Sequence, residues 1–180
     1  MRALVLSLLL VTQLASAADK LKAGVFEPPR MAPEIASGDF KLSAQRGKVV
    51  VLEFGYTSCL DVCPVSLAML AQARQKLGDK LQVVFVTVDP ERDTPKVLHE
   101  YVAKFDPSFV GITGSAAQMA AIRTAYGITA TKKKGEGGAY TMGHSSYLYF
   151  IDPAGKLRAL MPFGRPSDEI VHDVNLLSQK

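Results

Sequence analysis

The run KVVVLEFGY, residues 48–56, sets apolar and β-branched side chains side by side with no polar alternation. A strand written this way has no solvent face, so it must be covered on both sides and lie centrally in its sheet. A second run of the same kind, LQVVFVTVD, occupies residues 81–89. Between the two, PVSLAMLAQARQKLG carries Leu67, Leu70 and Leu77 at helical spacing, with Pro64 suited to a first turn and Gly78 as a stop.

The pattern continues to the C-terminus. Thr94-Pro95 opens a predicted helix over 94–106, FVGIT is a short strand, and Ser115 to Gly127 brackets another helix. SSYLYFID and LRALMPF flank the turn PAGK as a hairpin, and PSDEIVHDVNLLSQ closes the chain as a helix. Strands alternating with helical crossovers predict an α/β fold: a central mixed sheet flanked by helices, its parallel strands joined by those crossovers and its hairpin antiparallel at one side. With 180 residues, 48% apolar and 21% charged, the chain has material for one domain with a proper core, and no repeat interrupts it.

The N-terminus reads differently. MRALVLSLLLVTQLASA has one basic residue, an apolar run from Ala3 to Val11, and small residues at Ala15 and Ala17. Residues 1–17 are therefore expected to be a signal peptide cleaved after Ala17, because the apolar run is too short to cross a bilayer. Residues 18–39, with paired prolines, are expected to be an extended segment, and the domain proper to span 40–180. No cysteine stands at the cleavage point, so a lipid anchor is not expected, and no stable membrane anchor is predicted. The expected location is periplasmic. Loss of Arg2 leaves 20 basic against 17 acidic residues, +3. Such a mild excess, without a basic stripe interleaved with aromatics, does not point to nucleic acid, and Lys132-Lys133-Lys134 reads as a solvated loop.

The two cysteines of the chain, Cys59 and Cys63, fall in GYTSCLDVCP between the first central strand and the next helix. Loops at the carboxyl ends of strands are where α/β folds build sites. Thiols near a helix N-terminus feel its positive end, so both are expected to ionise more readily than usual. A purely structural disulfide closing so small a loop would add little stability. Two thiolates could instead act as a redox couple or grip a soft ion; Cu(I) accepts two or three such ligands, whereas structural zinc wants four. Of the three histidines, His99 and His172 fall mid-helix among polar neighbours and read as surface residues. His144, between a Gly-rich stretch and an apolar strand, could project toward the cysteine turn and complete an S₂N set suited to both copper oxidation states.

GYTSCLDVCPVSLAML resembles the F-x-Y/F-T-x-C-x-x-x-C-P signature of the Sco/SenC family of thioredoxin-like, copper-binding cytochrome c oxidase assembly proteins. The likeness continues through VFVTVDPERDTPKVLHEYVAKFDPSFVGITG and YTMGHSSYLYFIDPAGKL, from about Phe40 onward. It implies a thioredoxin-like fold, copper as cofactor, and Cys59, Cys63 and His144 as its ligands, with Asp89, Pro90 and Asp93 in the surroundings. The implied partner is the CuA-bearing subunit of cytochrome c oxidase, or another periplasmic copper or thiol protein. Two departures stand out. The family commonly has an acidic residue before the histidine, where this chain has Gly143, and it usually carries an N-terminal membrane anchor. Met142 and Met161 are soft donors whose expected role is filling gaps.

Two functions follow from this reading. As a metallochaperone the protein binds copper through Cys59, Cys63 and His144 and passes it on, with no covalent chemistry. As a thiol-disulfide oxidoreductase, Cys59 attacks a client disulfide and Cys63 resolves the intermediate. The two overlap, since a Cys59–Cys63 disulfide would withdraw two copper ligands. A peroxidase of the peroxiredoxin type would need Thr at position 56, where this chain has Tyr56.

Overall fold

The computed structural model describes residues 20–179; the expected signal peptide lies outside them. Seven residues of one strand, Val49–Gly55 (β4), are all buried, as the unbroken apolar run requires. The strands before it are Gly24–Met31 (β1), Ala36–Ser37 (β2) and Phe40–Lys41 (β3). After it come helix α1 (Val62–Leu77), β5 (Leu81–Thr87), α2 (Pro95–Ala103), β6 (Val110–Ile112) and α3 (Ala116–Tyr126). A hairpin of β7 (Ala130–Lys134) and β8 (Tyr140–His144) follows, then β9 (Tyr147–Ile151), β10 (Lys156–Pro162) and α4 (Ser167–Leu177).

The main sheet runs β1-β10-β9-β4-β5-β6. Parallel pairing links β4 to β5 and β5 to β6, while β9 lies antiparallel on the other side of β4. This is the expected mixed sheet, with β4 in its middle. Phe54, Phe85 and Phe150, from three adjacent strands, are among its largest fully buried side chains. Helices α1 and α4 pack on each other, and α2 packs beside β6.

The helix ends obey local chemistry. Thr94 caps α2 by accepting from the Val97 amide, with Pro95 in the first turn, and Ser115 with Gln118 forms a capping box on α3. Gly127 stops α3 at φ 69°, a left-handed conformation that costs glycine nothing.

Two segments differ from expectation. The stretch 18–39 was expected to precede the domain, yet β1 pairs antiparallel with β10 and forms an edge of the main sheet. Buried Asp173 of α4 secures its start by accepting from the amides of Lys22 and Ala23 at 2.7 and 2.9 Å. Prolines inside β1 are compatible with a sheet edge, where a missing N–H is tolerated. The lysine run 132–134, expected to be loop, is strand β7, with its register set opposite β8 from Ala130↔His144 to Lys134↔Tyr140. Its lysines are exposed, so the solvated character holds while the conformation does not.

Candidate metal centre

Gly55 ends β4 under the cysteine turn. A Cβ built there would lie 2.6 Å from the Cys63 sulfur and 2.7 Å from Phe85 Cζ, so a side chain at this position would displace the thiol. The chain then turns through Tyr56, whose carbonyl accepts from the Cys59 amide at 3.1 Å. Cys59 lies outside α1 and Cys63 within its first turn, so the turn, rather than a shared helical face, brings the sulfurs together. Both are free thiols; Cys59 is 9% exposed and Cys63 0%.

The Asp89–Asp93 loop braces this turn. Buried Asp93 accepts from the Thr57 hydroxyl at 2.6 Å and its amide at 3.2 Å, and from the Thr87 hydroxyl at 2.5 Å, joining the cysteine turn to the end of β5. The Val88 amide donates to the Gly55 carbonyl at 2.7 Å, a second tie. Asp93 is thus a structural acceptor that ties the cysteine turn to β5, while the Asp89 side chain pairs with Arg92 and Tyr140.

His144 ends β8. Its Nε2 lies 3.8 Å from the Cys63 sulfur. On the far side of the ring, Nδ1–H donates to the Ser145 carbonyl at 2.9 Å, which leaves the Nε2 lone pair facing the thiols. The Tyr56 ring stands edge-on to the imidazole, centroids 5.8 Å apart. One ligand atom from each of Cys59, Cys63 and His144 lies within 4.8 Å of the others, and no other such cluster occurs among the described residues. Ligand atoms around one ion at bond lengths near 2.0–2.3 Å are about 3.5–4 Å apart, so small rotations would close the set. The donor chemistry, two sulfurs and an imidazole, fits a soft or borderline ion.

The other candidates part from this centre. His99 is exposed on α2, and His172 leans on Asp173 at 3.0 Å. Met161 is fully buried in the core, and Met142 packs half-buried against it.

The electrostatics overturn one expectation. A helix N-terminus was expected to favour the Cys63 thiolate, but burial drives its pKa upward, and the nearby Glu53 charge adds to the rise; the hydrogen bond with the Tyr56 backbone opposes it only in part. Glu53 itself was hidden in the apolar run of β4. It is 5% exposed, its carboxyl is held well above the usual range by burial despite a hydrogen bond from Ser66, and Oε2 has no hydrogen-bond partner among the described residues. Lone acidic residues in an otherwise apolar strand are the sequence signal that would have found it.

The chain resembles known proteins over most of its length. The sequence profile of the SCO1/SenC family matches residues 36–179. The SCO2-like protein of Rickettsia felis is 36% identical over 134 residues, 66% of this chain and 65% of that protein, so the match spans less than two thirds of the relative's length. The solution structure of apo Sco1 from Thermus thermophilus superposes with a TM-score of 0.80 at 31% identity, covering 90% of this chain and 99% of that one. Bradyrhizobium japonicum ScoI with copper bound superposes at 0.70 with 33% identity, covering 83% and 97%. The fold is the thioredoxin-like one expected, and the protein belongs to the SCO1/SenC family.

Proposed function

We propose that this protein is an exported copper carrier that holds one copper ion per chain through Cys59, Cys63 and His144 and serves assembly of the CuA centre of cytochrome c oxidase. The observation that carries the reading is the convergence of the three donor atoms within 4.8 Å, with His144 Nε2 facing the thiols. The copper-bound Bradyrhizobium relative supports the choice of ion. Binding releases the thiol protons, and the exposed edge of Cys59 offers an acceptor a point of ligand exchange. Among the described residues no helix is long and apolar enough to cross a membrane.

Anaerobic titration of the reduced protein with Cu(I) and with Cu(II) tests the reading. One equivalent should bind, and Cu(II) should give a thiolate-to-copper charge-transfer band that disappears in Cys59→Ser and in Cys63→Ser. A band that survives either substitution would remove that cysteine from the site.

A second reading, thiol-disulfide exchange with a client, draws on the unequal exposure of the two sulfurs, 9% against 0%. Cys59 thiolate would attack the client disulfide, forming a mixed disulfide and releasing one client thiolate. Cys63 thiolate would then attack the Cys59 sulfur and release the second. The client gains two electrons and this pair becomes a disulfide, to be reset by an external dithiol. Cys63→Ser should accumulate the mixed disulfide with the CuA-bearing subunit in oxidised form, seen as a reducible adduct on a non-reducing gel. Absence of any adduct, with Cys59 still alkylatable, would rule exchange with that client out.

A further inference from the structure

The histidine of the site stands on a hairpin that the main sheet does not hold. Strands β7 and β8 pair only with each other, and a two-stranded ribbon is marginal by itself. Whatever docks this hairpin therefore decides where His144 points. The residue before it contributes nothing toward the metal: Gly143 has no side chain, and a Cβ there would lie 3.1 Å from Lys133 Cε and 3.2 Å from Thr131 Oγ1.

The dock is a compact polar and aromatic cluster at the start of β8. Asp89, 3% exposed, accepts from the Tyr140 hydroxyl at 2.9 Å and pairs with Arg92 Nε at 2.5 Å. Arg92 Nη1 donates to the Tyr140 carbonyl at 3.1 Å. The guanidinium carbon stands 3.8 Å from the centroid of the Tyr140 ring and 5.6 Å from that of Tyr56. Tyr56 is the ring that backs the imidazole. One side chain thus reaches both the first residue of β8 and the aromatic wall behind its last. A flat guanidinium can stack and fork at once, which a lysine ammonium cannot.

We propose that Arg92, held by Asp89 and stacked on Tyr140, is a positioning residue for His144. The clamp seats β8 on the loop after β5 and thereby sets the approach of Nε2 to Cys63. In a chain with Gly143 before the histidine, orientation is supplied from this neighbouring loop. The inference rests on the reading of His144 as a copper ligand.

The test uses the full protein, its Cu(I) affinity measured against a chromophoric chelator and its Cu(II) form by pulsed EPR for imidazole nitrogen coupling. Arg92→Ala is expected to lose about 10–100-fold in affinity, the scale typical of residues that orient a ligand. Its nitrogen coupling should weaken or become heterogeneous while the thiolate charge-transfer band persists. Arg92→Lys should resemble Ala, because charge alone does not restore the fork and the stack. Tyr140→Phe keeps the ring but loses the bond to Asp89, and should show the same changes at smaller size; it decides the matter if Arg92→Ala does not fold. Affinity within twofold of wild type and unchanged nitrogen coupling in these variants would overturn the clamp and leave the ligand set standing. Wild-type protein without nitrogen coupling would overturn His144 ligation, and the clamp with it.

Discussion

Removing the imidazole is expected to separate the two copper oxidation states. In His144→Ala the sulfurs of Cys59 and Cys63 remain, and two thiolates still suit Cu(I), whereas Cu(II) loses its nitrogen donor. The expected loss is on the order of a hundredfold or more for Cu(II) and about tenfold for Cu(I), at ~1.4 kcal/mol per tenfold change. The His144 position makes this a change in ligation with little packing cost, since the ring is only half-buried and its hydrogen bond goes to the adjacent Ser145 carbonyl. Parallel competition titrations with the two ions check it. Cu(II) held as tightly by the variant as by wild type would mean the S₂N set is wrong.

Glu53→Gln is expected to flatten the pH dependence of stability. The folded state raises the pKa of this carboxyl above its unfolded value of 4.5, chiefly by burial. The folded chain therefore binds the proton more tightly than the unfolded chain, and its stability falls as pH rises from about 4.5 through the raised pKa. The loss amounts to ~1.4 kcal/mol for each unit of elevation. Glutamine has no proton to lose, so the variant should be close to wild type at pH 4 and more stable by pH 8, in a window below ordinary cysteine ionisation. Urea denaturation of the reduced, metal-free protein across that window is the measurement. Equal slopes for the two proteins would show that Glu53 keeps an ordinary pKa. Above the raised pKa the substitution also removes a charge that opposes the Cys63 thiolate, so copper affinity there should rise.

These two residues were unequally legible beforehand. His144 stood out because, between a Gly-rich stretch and an apolar strand, it could project toward the cysteine turn, and because the resemblance of GHSSYLYF to the family implied a ligand there. Glu53 was read as part of a buried strand, which it is, and its consequence for the thiol was missed because burial of a single side chain is a property of packing. For the same reason the helix N-terminus did not set the ionisation of the Cys63 thiol. A macrodipole acts along the chain and can be read from it, whereas the desolvation that outweighs it at Cys63 comes from the elements that close over the sulfur.

The hairpin β7–β8 was missed because its lysines show no apolar alternation. Its register is held by β8 and by contacts with distant loops, among them Lys132 to Glu91 at 2.6 Å and Tyr140 to Asp89 at 2.9 Å. Similarly, residues 24–31 carry prolines and no strand periodicity, and they become a strand only because β10 presents a free edge.

By itself the sequence determined the alternation of buried strands and helices, the helix caps at Thr94 and Ser115, and the placement of two thiols at a strand-to-helix turn. Each of these is set by neighbours a few residues apart, through periodicity and local hydrogen bonding. Only the tertiary structure decided that His144 meets Cys63 at 3.8 Å across 81 residues of chain, that Glu53 is sealed near the thiols, and that Arg92 braces the hairpin. Those relations depend on desolvation and on contacts between distant segments, which have no period in the sequence to announce them.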